Sequence, residues 1–243
     1  MKRILVGLVF AFGAMRGGAG QMVGTDPQTL PVSKEASQVS LKGYDKVTFE
    51  FEKVELTPPR WSIEVGNDGV GRYYEKVGSA AVEAPASGEA GLHVSAGTMA
   101  LLKAGAERGG AACETKAKHI AQTGKRVLTY WKGDVPWACT FNYSDNAGVM
   151  KTGDAFQAIA ETMQYGERLQ HEHRFDRLAL DAEVDSLEAA MKQGTAIEVQ
   201  NIAPALKSVL DDERVMERVR RKVARILLAS GAVVNPMIDS PGR

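Results

Sequence analysis

The sequence predicts an α+β protein in which an antiparallel sheet comes first and helices follow it. Three observations carry this. Apolar residues alternate at period two between residues 44 and 145, short Gly- and Asp-bearing turns separate those stretches, and from about Thr152 the spacing becomes helical. Apolar content of 44% and charged content of 25% are those of a folded chain rather than a disordered one. At 243 residues there is room for one domain or two small ones.

Residues 1–20 read as a signal peptide. Lys2 and Arg3 precede an unbroken run of apolar and small residues from Ile4 to Ala14, and Gly17, Gly18, Ala19 and Gly20 offer a cleavage region. The run is shorter than the roughly 20 residues that a spanning helix needs. No later stretch reaches that length, so no transmembrane segment is expected in the mature chain. The expected location is periplasmic or secreted. Residues 21–43, rich in Thr, Ser, Pro, Gln and Gly, read as a flexible leader.

The sheet region is expected over 44–145. Val47, Phe49 and Phe51 alternate with Thr48, Glu50 and Glu52; the parity then flips at Val54 and Leu56, which asks for a bulge or bend before Pro58 and Pro59. Trp61, Ile63 and Val65 alternate again, and Gly66-Asn67-Asp68-Gly69 supplies a hairpin turn. Tyr73, Glu75 and Val77 follow on one face of a third strand, completing a meander. Residues 79–91 are rich in Ala, Gly, Ser and Pro and read as a loop. Ser95 is placed to cap a helix through Met99, Leu101 and Leu102 that stops at Gly109 and Gly110. A second hairpin joins Arg126–Trp131 to the alternating Cys139, Phe141 and Tyr143 across Gly133-Asp134.

A helical region is expected over 146–230, with residues 231–243 as a tail. Phe156, Ile159 and Met163 share a face, with Gly166 as an interruption or kink; Leu180, Val184, Leu187 and Met191 share another, stopped by Gly194. A short helix spans Pro204 to Leu210. The last, from about Asp212 to Ala229, begins with acidic residues that suit the helix dipole and is closed by Gly231. The sheet and the first long helix are expected to form one unit, with the last helices appended. Arg214, Arg218, Arg221 and Arg225 make a basic stripe suited to anionic lipid or cell-wall polymer, but it is read as structural, either matching the acidic Asp181, Asp185 and Glu188 or facing water.

Cys113 and Cys139 are the only cysteines, and an even pair in an exported chain reads as a disulfide. Closing that loop stabilises a fold by roughly 3 kcal/mol. The pair has neither zinc-ligand spacing nor the C-x-x-C of a thiol oxidoreductase.

No motif specifies a reaction. There is no G-x-S-x-G elbow, and none of the four histidines lies beside a nucleophile. His171, Glu172, His173 and Asp176 are rich in ligand atoms, but H-x-H on a helix points to opposite sides. Pairing of Arg168 with Glu172 and of His173 beside Arg177 accounts for them, so no metal or other cofactor is expected. Removing residues 1–20 leaves 27 basic against 30 acidic residues, a net of −3, which gives nucleic acid no electrostatic foothold.

Two readings remain. Trp61, Tyr73, Tyr130, Trp131 and Trp137 all fall in the sheet region and together suggest a binding face for a protein or a cell-envelope polymer. The core is the competing use of such aromatics, Trp61 and Tyr143 above all, and the adjacent Tyr130 and Trp131 must point to opposite faces. The alternative is a periplasmic hydrolase whose acidic residues converge, with Glu50, Glu52, Glu64 and Glu75 as the strand carboxylates in reach.

The Asn67-Asp68-Gly69 turn with the Tyr73-Tyr74 pair, and the run Cys139-Thr140-Phe141-Asn142-Tyr143, sit in an order of elements (three strands, helix, hairpin, helix) from Tyr44 to Met163. That order resembles exported bacterial α+β proteins with no assigned activity. The resemblance spans about half the chain and implies a fold, not a function.

Overall fold

The computed structural model describes residues 43–76, 88–108, 113 and 124–232. The stretches read as a signal peptide and leader, as far as residue 42, together with Val77, the glycines 109 and 110 and the residues beyond Ala232, lie outside these. Six antiparallel strands form one sheet: β1 Lys46–Glu52, β2 Arg60–Gly66, β3 Val70–Lys76, β4 Gly88–His93, β5 Lys125–Lys132 and β6 Val135–Phe141, in the order β4-β3-β2-β1-β5-β6. The described helices are α1 Ala96–Arg108, α2 Ala147–Phe175, α3 Leu180–Gln193, α4 Ala203–Asp211 and α5 Glu217–Ala229. The α+β class read from the sequence is the class observed.

Strand alternation builds the sheet as expected. Val47, Phe49 and Phe51 on β1 and Trp61, Ile63 and Val65 on β2 are buried, with half-buried polar residues between them. Between these strands β1 simply ends at Glu52; Val54 and Leu56 stand exposed in the connecting bend, which Lys53 closes by donating its amide to the carbonyl of Pro59. The β2–β3 turn needs glycine at 69, where φ is 80° and a Cβ would lie 2.9 Å from the Val94 carbonyl oxygen.

Residues 88–91, read as the end of a loop over 79–91, belong in fact to the edge strand β4. Only Leu92 within it is large and buried, so no alternation announces the strand; the ladder to β3 and a cap from distant residues hold it. Asn201, in a 3-10 turn at Val199–Ile202, accepts the His93 amide on its Oδ1 at 2.7 Å and donates from Nδ2 to the His93 carbonyl at 3.1 Å.

The long helix also departs from expectation. It begins at Ala147, where Asn146 accepts the amides of Gly148 and Val149, and runs through Gly166 without a break. Gly166 allows close packing instead: a Cβ there would lie 2.6 Å from Ile202 Cγ2. The last helix starts later than its acidic run suggested. Asp211 ends α4, and Asp212 accepts the Arg214 amide at 2.9 Å, so only Glu217 lies in the first turn of α5.

Helices α1 and α2 cover one sheet face. Phe156 stacks on Phe49 with ring centroids 5.2 Å apart, and the Tyr130 hydroxyl donates to the Leu102 carbonyl at 2.8 Å. A single apolar cluster runs from the sheet through α2 into α3, α4 and α5. Cys113 and Cys139 form a disulfide with Cα atoms 5.8 Å apart, tying the segment after α1 to β6. Among the described residues no helix is long and apolar enough to cross a membrane.

Candidate functional site

Because the helices lie on one side, strand alternation leaves the opposite sheet face without a described element on it. Opposed charges populate this face: Lys46 pairs with Glu64 at 3.0 Å, Arg60 with Glu50 at 3.1 Å and Arg72 with Glu89 at 3.1 Å. Exposed pairs of this kind contribute little stability but leave the surface neutral. Across β1 and β5, the half-buried Trp131 donates its indole N–H to Thr48 Oγ1 at 3.3 Å, and Lys46 Nζ lies 5.4 Å from the indole centroid. Thr129, two residues along, is buried within the same face. The result is a neutral, hydroxyl-bearing surface on which Trp131 is a braced aromatic plate and Tyr74 of β3 a second aromatic. Chemically it suits stacking on a sugar ring or an apolar side chain, with hydroxyl and charged groups to orient the partner.

The five aromatics singled out in the sequence do not share that face. Trp61, Tyr73 and Tyr130 are buried beneath the helices, and Trp137 packs on Tyr130 from the same side with centroids 5.8 Å apart. Their alternation with polar neighbours puts them there, and only Trp131 lies on the open face. Tyr143, placed in the core by alternation, is 44% exposed, because β6 ends at Phe141 and the alternation ends with it.

The strand glutamates also divide. Glu50 and Glu64 lie on the open face in ion pairs, whereas Glu75 lies opposite Trp61 on the covered face. There it accepts the Tyr73 hydroxyl at 2.6 Å, and Gln164 Nε2 of α2 donates to the same hydroxyl oxygen at 3.3 Å. Its carboxyl partner is Glu167, which no sequence pattern marked: the two stand 92 positions apart on different kinds of element. Burial, then the charge and hydrogen bond of Glu75, push the Glu167 carboxyl up to about 7, against the opposing charge of Arg168. Burial and the bond to Glu75 also raise the Tyr73 hydroxyl well above the ordinary phenol range.

Glu167 lines a cleft of about 560 Å³ whose other walls include His171, Arg174 and Phe175 of α2 and Pro204, Ala205 and Ser208 of α4. His171 and His173, expected on opposite sides of the helix, both line this cleft but take different partners. His173 Nε2 lies 3.0 Å from Asp212 Oδ2, and His171 Nδ1 lies 3.4 Å from Glu172. Arg168 turns from Glu172 to Glu183 at 2.6 Å, and Arg177 joins His173 on Asp212 at 3.2 Å. Hydrogen bonds from Arg214, followed by that from His173, hold the Asp212 carboxyl well below the usual carboxylate range despite partial desolvation. Among the described residues no group of three His, Cys, Asp or Glu is placed to hold a metal ion.

Comparison with protein-family models, with curated proteins and with solved structures finds no match to this chain.

Proposed function

We propose that this is an exported, non-catalytic protein that binds a protein or cell-envelope polymer on the open face of its sheet. The observation that carries the reading is the one-sided helix cover, which leaves Trp131 as a braced aromatic plate on a neutral polar surface. The apolar N-terminal run and the Cys113–Cys139 disulfide support delivery to an oxidising compartment. The partner reads as neutral in the contacted region, since the ion pairs present no excess of either charge.

Capture of partners from an envelope extract by wild-type and Trp131→Ala protein tests this. Loss of a central aromatic anchor weakens binding by about tenfold or more. Capture unchanged in the variant removes the open face as the site. Unaltered unfolding of the variant establishes that any loss comes from the surface.

The hydrolase reading is favoured by one observation, the meeting of Glu75 with a Glu167 carboxyl that titrates near neutrality at the edge of a cleft. On this reading Glu75 takes a proton from a water and Glu167 donates one to the leaving group. Hydrolysis of envelope polymers that is undiminished in Glu167→Gln protein sinks it.

A further inference from the structure

The cleft between α2 and α4, about 560 Å³, is of a size that small organic molecules fill. Its two walls differ in chemistry. On the α4 side stand Pro204, Ala205 and Ser208, whose short side chains leave the space between the helices open. The α2 side ends in Arg174 and Phe175, both exposed.

Each of these two departs from the pattern of its kind. Phe49, Phe51, Phe141 and Phe156 are buried, whereas Phe175 is 69% exposed. Its ring is nonetheless braced: the His171 ring, one turn earlier, lies 5.0 Å from it between centroids, and the Arg174 guanidinium lies 5.8 Å from its centroid. The cations around Arg174 are matched by carboxylates, Arg168 by Glu161 and Glu183, His173 and Arg177 by Asp212. Arg174 meets no carboxylate among the described residues, and its contact there is the Phe175 ring. Glu167, the one carboxyl in the lining, stands seven positions earlier, about 10 Å back along the helix. An anion seated at Arg174 therefore does not lie against it.

We propose that this cleft binds a small aromatic carboxylate, with its carboxylate on the Arg174 guanidinium and its ring against Phe175 and Pro204. A guanidinium offers parallel N–H groups that match one carboxylate, and a single unmatched cation calls for a monoanion. A flat ring covers the apolar surface that Phe175 and Pro204 otherwise leave in water. The site lies on α2 and α4 and is independent of the open sheet face.

Amide NMR of the intact chain, titrated with benzoate, tests the site, and benzamide serves as the uncharged probe of the same shape. Benzoate is expected to shift the amides of residues 170–175 and 205–208. Saturation is expected at a dissociation constant of about 1 mM or below. Benzamide is expected to bind about tenfold or more weakly, and Arg174→Gln to weaken benzoate by the same factor while leaving benzamide unchanged. Phe175→Ser is expected to weaken both probes. Trp131→Ala is expected to leave benzoate binding as it is, so that this site and the open face stand or fall separately. Three results each overturn the proposal: shifts that do not saturate by about 10 mM, benzamide bound as tightly as benzoate, and benzoate bound as tightly by Arg174→Gln protein as by wild type. Saturable shifts confined to residues outside α2 and α4 overturn it as well.

Discussion

Glu198 is the one described non-glycine residue with a left-handed backbone, at φ 59°. Such a conformation costs on the order of 1 kcal/mol or more and persists where surroundings fix it. Here its carboxylate accepts the Ser95 amide at 3.0 Å and the Ser95 hydroxyl at 2.6 Å, with Gln200 as a further donor, so it caps α1 from 103 residues away. Burial disfavours the charge, yet hydrogen bonds from Ser95, Thr98 and Gln200 outweigh it and hold the carboxyl below its usual range. Its stabilisation is therefore present above the unfolded value of about 4.3 and fades as pH falls through the lower folded value. Glu198→Ala is expected to lower the unfolding free energy in urea by about 1–3 kcal/mol. Glu198→Gly should recover only the backbone part of that loss. Equal midpoints for wild type and the alanine variant would show that the cap contributes nothing. The sequence showed Ser95 as a cap but gave no sign of Glu198, since the two meet only through tertiary folding.

At the scale of elements, period-two alternation found β1, β2, β3 and β6, and β5 was read as the arm paired to β6 across the Gly133-Asp134 turn. It missed β4, whose small residues carry no pattern and whose strand state is imposed by its neighbours. Gly166 was misread for a related reason, since glycine in a helix looks like a weakness until the opposing Ile202 is known. Gly166→Ala gains helix propensity of about 1 kcal/mol but forces a methyl against a buried side chain, at about 1–3 kcal/mol. A lower thermal midpoint is the expected outcome, and a higher one would show that Ile202 yields freely. The charged stripes meet in part: Arg218 reaches Asp181 at 2.9 Å, Arg225 reaches Glu188 at 3.9 Å and Lys222 lies between Asp181 and Asp185, whereas Arg214 and Arg221 turn to Asp212 and Glu217. Hydrogen bonds to Asp185 and then Asp181 raise the Lys222 ammonium above its usual value. Lys222→Met should lower the melting temperature most at low ionic strength, with the deficit shrinking toward about 1 M salt as charges are screened. A deficit independent of salt would assign the loss to packing alone.

For the molecule as a whole, the class and, apart from β4, the element order were legible, whereas the pairing of distant parts was not. The candidate sites divide the same way. Trp131 could be picked out because adjacency to Tyr130 sends one of the two outward, and alternation decides which. Glu75 was among the strand carboxylates singled out, but Glu167 was not, because it lies in no motif and its approach to Glu75 depends on how α2 lies across β3. The apolar cluster that includes Phe49, Phe156, Leu187 and Val223 joins sheet and helices without interruption.

The hold of Asn201 on His93 has a consequence for the order of events. A chain delivered N-terminus first presents β4 long before residue 201 arrives, 108 positions later. Until then the end of that strand offers a free amide and carbonyl to any passing backbone. Native capping of that strand end waits on the arrival of Asn201. The protein is therefore most vulnerable to wrong strand partners while it is still emerging, and completion of its C-terminal helices ends that exposure.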